Sequence, residues 1–217
     1  MKHDSSGFTL IETAIVLVVI GLLLGATIKG QELINDSREK RLIGDFENIP
    51  VSIQTYQDKF RALPGDDARL AMHLPGAIPC SPLAAGKCAP GNGLIDGKWS
   101  DTSDASESYV FWQHIRLAGL ADGSLDTNSS DYIPRNVLGG QLGVTSISPI
   151  IGLSGTFLIC SDAIPGKYVK RLDADLDDGN TAQGFMRAVD AGTTTPENPI
   201  QITNINENST YLVCMKV

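Results

Sequence analysis

The longest apolar run in the chain lies close to its N-terminus. Residues 8–28 are 21 positions that hold a single charged side chain, Glu12, and Lys29 ends the run. An α-helix of this length spans about 31 Å at ~1.5 Å per residue, which is enough to cross the hydrocarbon core of a bilayer. The pattern therefore predicts a transmembrane helix that carries one carboxylate near its start.

A second apolar pattern follows further along the same predicted helix. Apolar residues recur there at spacings of four and three, at Leu42, Phe46, Ile49, Ile53, Tyr56 and Phe60. Such spacing places them in one stripe of an amphipathic helix. Together the two patterns predict one helix over residues 8–61, about 80 Å long. Its first half, 8–28, needs a membrane or other helices, and its second half needs a folded domain.

Residues 62–217 change period and predict a globular head. Residues 75–98 are rich in proline and glycine and predict a loop, and helices are predicted from Ser106-Glu107 to about Ala118 and over residues 165–177. β-Branched runs predict strands at residues 144–151, 155–161, 199–205 and 209–217, with a minor strand at 184–189. The predicted fold class is α+β, with the long N-terminal helix packed on an antiparallel β-sheet head.

Charge and motif content narrow the function. The net charge is −8 and most of it lies beyond residue 60, which argues against nucleic acid as a partner. The sequence contains no GxSxG, Walker or HExxH motif, so a membrane-tethered enzyme has no residues in its favour. We expect a protein that is not an enzyme.

Four cysteines, Cys80, Cys88, Cys160 and Cys214, all follow the apolar run. An even number beyond a membrane segment favours disulfides in an oxidising compartment, although four buried thiols are the alternative and three connectivities are open. We choose Cys80–Cys88, which closes the proline- and glycine-rich loop, and Cys160–Cys214, which ties two apolar strands. Zinc is disfavoured because the chain has no CxxC pair.

The leader MKHDSSG has its small residue, Gly7, before the apolar run and not after it. Cleavage at Gly7 would therefore keep the helix that a secretory signal loses. It would also free an α-amine on Phe8, four residues before Glu12. This amine and the Glu12 carboxylate have opposite charges, and pairing between neighbouring copies would set their axial register. The alternative is that the membrane interface solvates Glu12.

The string GFTLIE and the glycine-containing apolar run after it resemble the class III leader junction of the type IV pilin-like superfamily. That superfamily includes type IV pilins, minor pilins and type II secretion pseudopilins. The resemblance implies cleavage after Gly7 and N-methylation of Phe8 by a prepilin peptidase/N-methylase, and pairing of Glu12 with a neighbouring subunit's terminus. It also implies a bacterial inner-membrane protein with a cytoplasmic leader and a periplasmic head, which later joins a pilus or pseudopilus with other pilin-like subunits.

Two features depart from the superfamily pattern. Lys29 stands where many major pilins have proline, and its charge would be awkward in a filament core unless Glu32 or Asp36 pairs with it. The head is also longer than that of a typical major pilin. Both features favour a minor or pseudopilin-like subunit. The competing hypothesis is a monomeric, signal-anchored periplasmic binding domain that does not polymerise.

An acidic cluster near the C-terminus is a weak calcium candidate, formed by Asp173, Asp175, Asp177, Asp178 and Asn180. Oxygen ligands suit calcium, and the resemblance adds that some pseudopilins bind it. However, Gly179 is seventh from the first aspartate, where an EF-hand-like loop has glycine sixth. The helical pattern predicts that Asp173 and Asp177 face outward, so a solvated acidic helix end is the simpler interpretation. We expect no other cofactor.

Overall fold

The computed structural model describes residues 9–81 and 87–217. The chain divides into two compact units, Met1–Lys40 and Arg41–Val217. Its helices are α1 (Leu10–Phe60), α2 (Leu70–His73), α3 (Glu107–Leu117) and α4 (Gly166–Leu176), with a 3-10 turn at Ile202–Asn204. Its strands are β1 (Leu142–Thr145), β2 (Leu158–Pro165), β3 (Met186–Asp190) and β4 (Thr210–Lys216).

Helix α1 confirms the long helix that the two apolar patterns predict. It continues through Pro50 and ends at Phe60, just before the Leu63-Pro64-Gly65 turn. The described residues up to Ile28 are exposed, and the buried ones begin at Leu42. The buried set is the predicted stripe without Phe60, which is half-buried: Leu42, Phe46, Ile49, Ile53 and Tyr56. The sequence pattern that is apolar on all sides therefore corresponds to the exposed part of the helix, and the one-sided apolar pattern corresponds to the part with a buried stripe.

The sheet is antiparallel, and its strands lie in the order β1-β2-β4-β3. Alternation along the strands gives it two apolar faces. On one face, Ile159 and Val213 join the main core, which also contains the buried stripe of α1 from Leu42 to Ile53 and residues of α3 and α4. On the other face, Leu158 and Leu212 join a second cluster around Trp99. This arrangement confirms the predicted α+β class.

The strand predictions need two corrections. Residues 199–205 are not a strand; Ile200 donates its N–H to the carbonyl of Ala188, and the chain then turns into the 3-10 turn. The predicted strand at 144–151 also stops early, at Thr145. Side-chain oxygens end it there, because Thr145 Oγ1 accepts the N–H of Ile147. Three residues later, Ser148 Oγ accepts the N–H of Ile150 in the same way.

Helix α4 confirms the helix predicted over 165–177, but the outward position predicted for Asp173 is wrong. Asp173 is completely buried, while Asp177 is only partly buried. The reason is that Asp173 follows the inward residue Val169 by four positions and so shares its helix face. The helical repeat that buries the apolar residues of α4 therefore buries Asp173 as well.

Candidate functional site

Glu12 lies in the first turn of α1, where Thr9 contacts its carboxylate twice. The backbone N–H and the hydroxyl of Thr9 each donate to Glu12 Oε2, both at 2.9 Å. In return, the N–H of Glu12 donates to Thr9 Oγ1 at 3.3 Å. This is a capping box, in which the helix start satisfies its own free backbone donors. The carboxylate of Glu12 is therefore turned toward the N-terminal end of the helix.

The apolar side chains in the first half of α1 have no packing partner among the described residues. The large ones between Leu10 and Ile28 are 46–91% exposed. Nothing lies within 4 Å of the place where a Cβ would stand on Gly21 or Gly25. By length and composition alone, α1 could cross a membrane. A surface of this kind suits lipid or other helices, and not water.

Lys29 is paired within its own helix. Its Nζ lies 2.6 Å from Oε2 of Glu32, three residues further on. Both side chains are well exposed, at 68% and 57%. Glu32 is one of the two partners that the sequence suggested for Lys29, so the end of the apolar run carries a neutral pair of charges.

The acidic cluster on and after α4 is divided among different contacts. Both carboxylate oxygens of Asp173 are buried without a hydrogen-bond partner among the described residues. Asp177 accepts the N–H groups of Phe185 and Met186, and Asp178 accepts that of Asn180. Burial, together with the nearby Asp177 and Asp178, raises the pKa of Asp173 to about 7.

A calcium site at this cluster stays a prediction. In the described parts of the chain, no three of its carboxylates converge on one position. The group that does converge consists of Cys80, Cys88 and Glu107, and its two cysteines are joined in a disulfide.

Comparison with known families adds one finding. Residues 2–28 match the family model described as "Prokaryotic N-terminal methylation motif". The N-terminal segment therefore carries a prokaryotic N-terminal methylation motif. Comparisons with curated proteins and with solved structures give no match. The family match is therefore confined to the N-terminal segment, and the rest of the chain is described by its own geometry.

The matched segment contains the processing site that the sequence predicts, Gly7 and Phe8. Gly7 and Phe8 lie outside the residues that the structure describes, so cleavage and methylation stay predictions. Glu12 lies within both the matched segment and the described helix. Its predicted role in pairing with a neighbouring subunit concerns an assembly, and it also stays a prediction.

Two disulfides join the pairs chosen from the sequence, Cys80–Cys88 and Cys160–Cys214. Cys160 and Cys214 are directly opposite in the register of the neighbouring strands β2 and β4, and both are fully buried. The head is thus tied across the middle of its sheet and again in the loop before α3.

Glu107 is a buried residue whose contacts the sequence did not reveal. Its two carboxylate oxygens accept the N–H groups of Ala89, at 2.7 Å, and Asp96, at 2.9 Å. Oε1 also lies 3.7 Å from the Sγ of Cys80. Burial raises the pKa of Glu107 to about 7. The sequence identified Glu107 only as a helix start; the loop that folds over it supplies the burial.

A polar cleft lies in the head where α1 ends. Asp67 accepts from the Tyr56 hydroxyl at 2.9 Å and lies 2.7 Å from Nδ1 of His73, while Asp66 accepts the N–H of Gly93 at 2.8 Å. These contacts occupy both carboxylates. The cleft has a volume of about 470 Å³ and is lined by Gln57, Asp58, Arg61, Ala62, Leu63, Asp66, Asp67, Ala68, Arg69, Gly91, Gly93 and Thr156. A cleft of this size could hold a small polar ligand.

Proposed function

We propose that the precursor is cut after Gly7, N-methylated on Phe8 and assembled through α1 as a minor subunit of a type IV pilus or pseudopilus. One combined observation carries the proposal. The segment that matches the methylation motif is also the start of a helix whose large apolar side chains are exposed from Leu10 to Ile28. The processing signal and the unpartnered surface thus belong to the same stretch of chain.

The chemistry of the segment supports assembly through a charge pair. Moving an apolar helix from lipid to a neighbouring helix gains little hydrophobic free energy, because both surroundings are apolar. Apolar packing alone would therefore leave the axial register of identical helices poorly defined. The Glu12 carboxylate, turned toward the helix start by Thr9, offers a single anionic position for the α-amine of a neighbouring copy.

The head supports the proposed location and subunit type. Its two disulfides suit an oxidising compartment such as the periplasm. A head in the periplasm would leave the short leader in the cytoplasm. Lys29, where many major pilins have proline, and the long head favour a minor subunit over the bulk subunit. Its partners would be the prepilin peptidase and other pilin-like subunits, copies of this chain among them.

The proposal is tested by the fraction of the chain that enters sheared filaments in cells that make the protein naturally. Glu12→Ala removes the anionic position and should lower that fraction at least tenfold while the chain stays in the membrane. Glu47→Ala changes an exposed carboxylate of the same helix and serves as the control. Equal filament fractions for Glu12→Ala and the wild type would overturn the proposal.

The second candidate is a membrane-anchored binding domain that stays monomeric. The polar cleft at the end of α1 is the observation that favours it. This candidate predicts that wild type and Glu12→Ala both remain in the membrane fraction as monomers. A filament-associated wild type would exclude it.

A further inference from the structure

The ion pair of Lys29 and Glu32 lies within an apolar surface and not at its border. Lys29 is the first charged residue after Glu12, yet large exposed apolar side chains continue beyond it. Leu33 is 59% exposed and Ile34 is 54% exposed. Leu33 follows Lys29 by four residues, so the two side chains share one face of the helix. The pair therefore has apolar side chains on both sides along α1.

A glycine brings the position of the pair close to any neighbouring helix. Gly25 precedes Lys29 by four residues and shares its face, and the space above Gly25 is open. Small residues let two helix backbones approach each other closely. A helix that packs at Gly25 would also cover Lys29, one turn further along. A lone ammonium would be costly in that position, whereas an ion pair brings no net charge into it.

The charges that follow also suit contact between identical chains. Residues 29–40 carry three basic and three acidic side chains, so this part of the helix is neutral overall. Copies of a neutral, mixed-charge segment can lie side by side without the repulsion that a segment of one sign would cause. A second copy of this chain is therefore the partner that fits the surface.

We propose that Lys29 and Glu32 form a self-neutralised position inside the surface that a second copy of this chain covers, and that the covered surface extends to Ile34. The inference rests on the proposed assembly function and deepens it. The pair removes the net charge that Lys29 would otherwise bring into the contact. Each copy supplies this neutralisation for itself through its own Glu32.

The test compares filament-to-membrane ratios for full-length chains in their native cells. Glu32→Gln and Lys29→Gln each change the net charge at this position by one, and each should lower the ratio at least tenfold. The double variant Lys29→Gln/Glu32→Gln is uncharged at both positions and should return to within twofold of the wild type. Glu47→Gln, an exposed carboxylate in the second compact unit, should leave the ratio unchanged.

The outcomes separate this inference from the function on which it rests. A ratio for Glu32→Gln within twofold of the wild type, or a double variant as low as the single ones, overturns the ion-pair inference alone. A wild type that never enters filaments overturns both. A filament-forming wild type with an impaired Glu12→Ala keeps the assembly function whichever way the ion-pair variants behave.

A labelling experiment tests how far the covered surface extends. Ile34→Cys provides a single reactive thiol, because the four native cysteines are in disulfides. Maleimide should label it at least fivefold more slowly in filaments than in the same chain dissolved in detergent. Equal rates would show that the surface between copies ends before Ile34.

Discussion

Leu22 and Leu42 are the same residue type on the same helix, yet Leu22 is 70% exposed and Leu42 is completely buried. The difference lies in what each part of the chain provides. Leu42 belongs to the second compact unit, whose sheet and helices supply its contacts. Leu22 belongs to the first unit, which contains a helix and nothing for it to pack on among the described residues. The second compact unit thus supplies packing partners for its own apolar side chains. The N-terminal part of the helix requires a partner from outside the chain.

The disulfides offer the strongest test of the head's independence. Replacing Cys160 and Cys214 with serine opens a link of sequence separation 54, while replacing Cys80 and Cys88 opens one of only 8. The chain-entropy relation gives losses of about 4 and about 2.5 kcal/mol in the free energy of unfolding. Urea unfolding of full-length protein in detergent should show this order. Equal losses for the two double variants would mean that the Cys160–Cys214 disulfide stabilises β2 and β4 no more than the Cys80–Cys88 disulfide stabilises its loop.

Replacing either Leu22 or Leu42 with alanine tests the difference between the two parts of the helix. Leu42→Ala creates a cavity in the core and should cost about 2–5 kcal/mol of head stability. Leu22→Ala removes exposed surface and should change the unfolding free energy in detergent by less than about 0.5 kcal/mol. A similar loss at both positions would contradict the division of the helix into a self-sufficient part and a partner-dependent part.

Buried carboxylates give the head a pH dependence that the N-terminal helix should lack. Burial raises the pKa of Asp45 to about 6, and those of Glu107 and Asp173 to about 7. Between the unfolded and folded pKa values the folded chain holds more protons than the unfolded chain. The stabilisation that these three groups contribute is therefore largest below about pH 4 and is lost as the pH rises through about 7.

Asp173→Asn isolates one of these groups. At pH 8 it removes a buried charge without a hydrogen-bond partner, and should raise the free energy of unfolding by on the order of 1–2 kcal/mol. At about pH 3 the aspartate is protonated in both the folded and the unfolded chain, so the variant and the wild type should melt at nearly the same temperature. A gain of the same size at both pH values would show that ionisation of Asp173 is not the cause.

The smallest effect we expect is at Tyr56, near the end of α1. Tyr56→Phe removes the hydrogen bond to Asp67 and leaves a buried carboxylate with one donor fewer. The head should lose about 1 kcal/mol, measured by thermal unfolding. Asp58→Asn, an exposed change two residues later on the same helix, should lose nothing measurable. If both variants behave like the wild type, the contact between the end of α1 and the following turn does not contribute to stability.

Periodicity predicted the elements whose burial it controls directly. The stripe from Leu42 to Tyr56, helix α4 and strand β4 all follow from regular spacing of apolar residues. The strand predicted at 199–205 was wrong because an apolar run shows that residues prefer burial, and not whether a neighbouring strand has room beside it. Beyond β3, Ile200 supplies a single hydrogen bond and the chain then turns away.

The candidate site was predictable only in part, for a related reason. The GFTLIE motif indicated Glu12. The cap that Glu12 forms with Thr9 in the same helical turn is recognisable in the sequence as a T-x-x-E pattern. The burial of Glu107 could not be predicted, because the loop that donates to it is separated from it by up to 18 residues. Asp173 did carry a signal, since it shares a helix face with Val169, but its charge favoured an exposed interpretation.

The mass of the chain in the membrane and in filaments shows whether the leader is removed at Gly7. In cells with an active prepilin peptidase, we expect an N-terminus at methylated Phe8; in cells without the peptidase, we expect the uncut chain from Met1. Gly7→Val should keep the leader in both strains, because a larger side chain replaces the small residue at the cut. An N-terminus at Met1 despite an active peptidase would show that the chain is not processed as a prepilin.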